Sequence, residues 1–224
     1  MHDSRGVQVV SNCYNRGEVS MTFDDASSFR GQELEMARIM EGSGGLGSFF
    51  VNGLNREGTG VCIYDRAQDL KSLYERVGVW VALLTEIVID AAELEKLETA
   101  MIKILGVRPK YFRPPYGSYT DLVLKVLSER GYTKMFLWTD ATRDWNSDLK
   151  YQKEVIDEVV DAYPGPRILL QHPPFEFTNQ AVKYAAPRLA ARGYKIVNID
   201  DCTGGTGAYA YVGAPQARDS TWVC

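Results

Sequence analysis

Asp24 and Asp25 stand side by side just after the run Glu18–Phe23 (EVSMTF). Adjacent carboxylates at a strand end point to opposite sides, so one can ligate a metal while the other acts as a general base. The same pair also suits a turn or a helix N-cap, with Ser27 or Ser28 completing it. Further on, Arg113-Pro114-Pro115-Tyr116-Gly117 forms a stiff turn, because proline fixes the backbone. It presents the Arg113 side chain and the Tyr116 amide at a set angle. A buried arginine holds a carboxylate through two hydrogen bonds, and a fixed N–H stabilises an oxyanion. A plain strand-to-helix turn would use the same residues. His172 is the one internal histidine, and Asp144-Trp145 follows an earlier strand-like segment. A carboxylate beside an imidazole keeps it oriented and protonated, as a general acid requires. The alternative is a lone histidine that is merely packed or solvated.

The elements that must position these residues alternate. Strands are predicted at Glu18–Phe23, Ser48–Asn52, Val77–Leu84, Tyr111-Phe112, Lys134–Trp138, Arg167–Leu170 and Tyr194–Ile199. Helices are predicted at Gly31–Met40, Asp65–Arg76, Asp90–Leu105, Thr120–Arg130, Lys150–Tyr163 and Asn179–Arg192. Asp90-Ala-Ala-Glu93 reads as a capping box. Repeated strand–loop–helix units indicate a parallel sheet with helical crossovers. At this length a closed or distorted barrel is favoured over an open sheet, and the candidate residues follow strands, where such barrels place their sites. The core runs from about residue 7 to 202, and 203–224 is an irregular, cysteine-terminated tail.

Composition narrows the chemistry further. The 224 residues hold 25 Lys+Arg, 29 Asp+Glu and 2 His, with 45% apolar and 24% charged residues. That is a globular composition, sufficient for one domain. A net charge of −4 argues against a nucleic-acid or anionic-membrane partner. No apolar run approaches the ~20 residues of a membrane span, and no leader peptide is visible. One compact domain without a coiled coil favours a monomer. Two histidines cannot supply both a pair of imidazole ligands and an imidazole acid.

Cys13, Cys62, Cys202 and Cys224 have no zinc-type spacing. They read as disulfides of an oxidising, secreted setting. Of the three possible pairings, Cys13–Cys202 with Cys62–Cys224 is favoured, because the first ties an early strand to a late one.

Taken in order, these pieces resemble the NodB-homology polysaccharide deacetylases, carbohydrate esterase family 4, and are similar to secreted fungal chitin deacetylases. The motifs are Thr22-Phe-Asp-Asp25, Arg113-Pro-Pro-Tyr-Gly117, Thr142-Arg-Asp-Trp145 and Leu170-Gln-His172. Supporting segments are Phe49-Phe-Val-Asn-Gly53, Cys62-Ile-Tyr-Asp65 and Gly193-Tyr-Lys-Ile-Val197. The resemblance implies a single-domain α/β fold, a distorted (β/α) barrel. It implies that Asp24 is the base, held by Arg113, and that Asp25 ligates a divalent metal, usually zinc. The Tyr116 amide would join an oxyanion hole. Asp144 would tune His172, the acid, and Trp145 and Leu170 would line a pocket for the acetyl methyl. The implied reaction removes N-acetyl groups from N-acetylglucosamine units of chitin or a chitin-like glycan, outside the cell or in its wall.

One motif is missing. The family's H-x3-H, which supplies two metal ligands, belongs between Arg76 and Ala92, and no histidine stands there. Its slots fall near Leu83 and Ile87, or near Val79 and Leu83, depending on the end counted from. Glu86 and Asp90 have the i, i+4 spacing of paired ligands, but Asp90 already suits a helix cap. The glycine-proline after Asp25 is Ala26-Ser27, and the residue after His172 is Pro173. The metal site is therefore expected to be weak or empty. Weak or atypical deacetylase activity is the first expectation, and a catalytically inactive glycan binder is the second.

Overall fold

The computed structural model describes residues 6–26, 31–54, 60–77 and 91–224. Strand β1 (Gln8–Val10) and strand β2 (Glu18–Phe23) open the fold. β2 is its axis, and Val19–Phe23 are all buried. Both edges of β2 are paired, so this strand contacts packed structure along its whole length. Strand β8 (Arg167–Gln171) runs parallel to it from Val19 to Phe23. On the other edge β9 (Lys195–Ile196) pairs with Glu18-Val19, and β3 (Ser48–Phe49) pairs with Thr22-Phe23. The short β7 (Asp140–Ala141) flanks β8.

A second parallel sheet places β6 (Lys134–Phe136) between β1 and β5 (Tyr111–Phe112). The chain leaving β6 joins the two sheets. Leu137 N–H donates to the Val10 carbonyl at 2.7 Å, and Thr139 N–H donates to the Ile168 carbonyl at 3.0 Å. Trp138 thus sits where one strand exchanges β1 for β8, and the result is a distorted (β/α) barrel. Its interior is filled by Val10, Phe50, Tyr111, Phe136, Ile168 and Ile199. A larger apolar layer separates the strands from the helices.

The helices outside follow the apolar periodicity. These are α1 (Glu33–Gly42), α2 (Ala67–Val77), α3 (Ala91–Leu105), α4 (Asp121–Glu129), α5 (Leu149–Asp161) and α6 (Thr178–Arg192). Thr120 caps α4 and Asp148 caps α5 through side-chain oxygens that accept backbone N–H groups. Gly106 ends α3 at φ +75, and a Cβ there would lie 2.0 Å from the Gly213 carbonyl oxygen, so only glycine fits.

Several sequence expectations need correction. The third strand stops at Phe49, with only Val51 making a further bridge, which releases Asn52 to turn toward the site. The last strand covers only Lys195–Ile196. Asn198 then accepts from the Asp201 N–H at 2.9 Å and starts the short α7 (Ile199–Cys202). The tail, irregular for most of its length, carries one short strand. Its β10 (Tyr209–Tyr211) pairs antiparallel with β4 (Val107–Pro109), and Trp222 is buried against Tyr64 with ring centroids 5.3 Å apart. β1, β4, β7 and β10 have no clear sequence signal. The strand proposed to begin at Val77 and the capping box at Asp90 lie largely outside the described residues; Val77 itself ends α2.

Both disulfides pair as favoured, Cys13–Cys202 and Cys62–Cys224. The first closes a sequence separation of 189 residues inside the barrel core. Replacing both Cys13 and Cys202 by serine should lower the unfolding free energy by about 2–5 kcal/mol. Urea unfolding of the variant beside the parent protein checks this.

Candidate active site

One half of the candidate site is built at the end of β2. Thr22 and Asp24 project into the barrel, where the Arg113 side chain is fully buried. Arg113 Nη1 donates to Asp24 Oδ1 at 2.7 Å and to Thr22 Oγ1 at 2.9 Å, while Nη2 donates to the Leu137 carbonyl at 3.3 Å. The contact to Asp24 is therefore single rather than the two-fold grip expected, because the guanidinium divides its donors among three partners. Its carbon lies 3.8 Å from the Phe50 ring centroid, so the remaining face of the cation rests on an aromatic surface. Burial lowers the Arg113 pKa and the Asp24 charge opposes that fall.

β2 ends at Phe23, and Asp25 takes a left-handed backbone at φ 59. Both Asp24 and Asp25 act electrostatically on His172. Asp25 Oδ1 accepts from Asn52 Nδ2 at 2.9 Å. Burial raises Asp25 from its ordinary 3.8 to about 6. Asp24 and Asp144 push the same way, and His172 and the Asn52 amide oppose them.

The other half forms at the ends of β7 and β8. Asp144, fully buried, accepts from His172 Nδ1 at 2.8 Å through Oδ1. Its Oδ2 accepts from the His172 backbone N–H and from Thr178 Oγ1, the latter at 2.9 Å. Burial alone would lower the His172 pKa. The Asp144 hydrogen bond, together with the charges of Asp144, Asp24 and Asp25, outweighs burial and raises it. Trp145 and Phe175 flank the imidazole edge-on, at centroid distances of 5.6 and 5.8 Å. Trp145 is about half exposed and Leu170 is buried. Tyr116 has a left-handed backbone at φ 56 on the turn Pro115–Gly117, and its ring is exposed.

Zinc needs about four donors in a tetrahedral array. Among the described residues no group of three or more His, Cys, Asp or Glu side chains is placed to hold a metal ion. Asp25 has an amide donor on one oxygen, and His172 commits Nδ1 to Asp144. The described residues therefore do not fit a zinc centre. The slots at Val79, Leu83 and Ile87 lie outside the described residues, as do Glu86, Asp90 and His2.

The structure thus brings Asp24, Asp25, Arg113, Asp144 and His172 into one electrostatic cluster. Thr22, Asn52, Phe50 and Thr178 complete it and carried no assigned role in the sequence reading. Thr22 and the Phe49–Gly53 segment did lie within recognised motifs. Thr178 had no motif at all.

The family model described as polysaccharide deacetylase matches residues 89–135. A chitin deacetylase from Arthroderma benhamiae is 27% identical over 212 residues, covering 88% of this chain and 54% of that protein. The chain thus spans about half the length of that relative. The structure of the chitin deacetylase from Colletotrichum lindemuthianum superposes with a TM-score of 0.77 at 22% identity, covering 91% of this chain and 96% of the other. A CE4 family pseudoenzyme from Bacillus anthracis superposes with a TM-score of 0.71 at 20% identity, covering 88% of this chain and 69% of the other. The chain is thus similar to polysaccharide deacetylases in sequence and in fold.

Two outcomes follow from the charges. Folded Asp25 holds its proton more tightly than unfolded Asp25, so stability falls as pH rises from about 4 through 6. His172 acts in the same direction, its contribution being lost as pH rises through its raised folded pKa. In chelator, Asp25→Asn should therefore be more stable than the parent at pH 7 and lose that advantage near pH 4. Urea midpoints across pH test this, and parallel curves would refute it. Arg113→Met leaves the buried Asp24 unpaired and should cost about 3–5 kcal/mol in the same assay.

Proposed function

We propose that this chain hydrolyses N-acetyl groups on N-acetylglucosamine units of chitin or a chitin-like glycan, with weak or atypical activity. The observation that supports this reading is the pair of preassembled ion contacts, Arg113–Asp24 and Asp144–His172, at adjacent strand ends. Their geometry suits the two proton transfers that amide hydrolysis needs.

In this proposal Asp24, pinned by Arg113, takes a proton from water as the water oxygen bonds to the acetyl carbonyl carbon. The Tyr116 amide donates to the carbonyl oxygen as it becomes an oxyanion. His172, with Nδ1–H directed at Asp144, releases its Nε2 proton to the glucosamine nitrogen. The C–N bond breaks, and acetate and a free amine leave. Trp145 and Leu170 would shelter the acetyl methyl. A metal would polarise the carbonyl and acidify the water, and its loss raises the barrier by several kcal/mol. That loss is the reason to expect slow turnover.

A second reading has its own support. The chain lacks the histidine pair, and one similar fold belongs to a protein described as a pseudoenzyme. A site with Trp145 and Phe175 beside His172 would then bind the glycan through sugar–aromatic stacking without cleaving it. In either case the disulfides suit an extracellular or cell-wall setting. Among the described residues no helix is long and apolar enough to cross a membrane.

Acetate release from N-acetylglucosamine oligomers, with metal content measured after dialysis, decides between the readings. Slow release is expected, reduced at least about 100-fold by Asp24→Asn and by His172→Ala. No acetate above buffer with any divalent metal would overturn the hydrolase. Oligomer binding under those same conditions would establish the second reading.

A further inference from the structure

The Asp144 carboxylate is held by more than its histidine. Asp144 lies in the short turn Asp144–Asn146, bracketed by Arg143 at φ 50 and Ser147 at φ 53. Two left-handed non-glycine residues are costly and persist only where surrounding structure over-determines them. The turn therefore needs outside anchors. One is the His172 backbone N–H on Oδ2. The other is Thr178 Oγ1, 2.9 Å from the same oxygen, and Thr178 is fully buried.

A hydroxyl carries one proton. Thr178 spends it on Asp144, since an ionised carboxylate only accepts. Thr178 is also the first residue of α6, a helix of 15 residues packed on α1 and α5. Its hydroxyl is thus fixed to a rigid body, and the positive end of α6 faces the carboxylate. With Oδ2 pinned from two sides, Oδ1 has one place to be, and that place is 2.8 Å from His172 Nδ1.

We propose that Thr178 is a positioning residue, whose hydroxyl locks the Asp144 carboxylate so that Oδ1 holds the His172 ring in a single orientation. Its kinetic consequence rests on the hydrolase reading above; its structural consequence does not. A chain with only two histidines makes the structural test direct. The His172 Nδ1–H should give a slowly exchanging low-field proton resonance in water, assigned by its loss in His172→Gln.

Thr178→Val removes the donor at nearly constant shape, Thr178→Ala removes it with less bulk, and Thr178→Ser keeps it. In the full chain the low-field resonance should be lost or broadened in Val and Ala and retained in Ser, with circular dichroism showing all three folded. Where acetate release is measurable, kcat should fall about 10- to 100-fold in Val with KM within about twofold, and Ser should restore it. A folded Val or Ala variant with an unchanged resonance would overturn the proposal, as would a parent protein with no such resonance. Failure of Val and Ala to fold, where Ser folds, would also overturn it, because the hydroxyl would then be a structural support alone. Absence of acetate from every variant would count against the hydrolase reading and leave the resonance to decide on Thr178.

Discussion

A fully buried guanidinium is the constraint around which the open end of this barrel is assembled. Arg113 cannot be hydrated, so its charge must be met by protein groups or not be there at all. Meeting it requires Asp24 and Thr22 from β2, the Leu137 carbonyl beyond β6, and the ring of Phe50 beyond β3. Those groups come from separate parts of the sheet and converge only when the strands are in register. Among the described residues Nε has no hydrogen-bond partner, so the cation is satisfied by charge and aromatic contact more than by a complete set of hydrogen bonds. Register, barrel closure and the placement of Asp24 are thus one requirement.

The Asp144–His172 pair repeats the arrangement with opposite sign. There the buried group is a carboxylate, Asp144, and donors converge on it from β8 and α6. The two halves share a field, since Asp24 and Asp25 both help to keep His172 protonated. Three carboxylates face two cations in this cluster. Among the described residues Asp25 has no ion-pair contact, and burial is the main cause of its raised proton affinity.

The C-terminal tail braces one wall of the fold. The C-terminal tail pairs with β4, buries Trp222 against Tyr64, and is bonded through Cys224 to Cys62 beside the 3-10 turn Ile63–Arg66. Gly53, whose carbonyl accepts from Ile63 N–H, adjoins Asn52, which holds Asp25. A segment that reads as a loose tail in sequence is therefore connected by few steps to a site carboxylate.

Much of this was legible beforehand. The alternation of strands and helices, the paired cysteines and the positions of Asp24, Arg113, Asp144 and His172 followed from residue type, breakers and motif spacing. The absent histidine pair was likewise a fact of composition alone, and composition needs no coordinates. Other features were not legible, for a common reason. The division of Arg113 among three partners, the electrostatic link between Asp25 and His172, the strand exchange at Trp138, the pairing of β10 with β4 and the Thr178 hydroxyl on Asp144 all depend on groups distant in sequence. Local pattern reports what one segment prefers. Hydrogen-bond geometry inside a barrel is decided where segments meet, because a buried charge selects its partners by distance and desolvation, and neither is written along the chain.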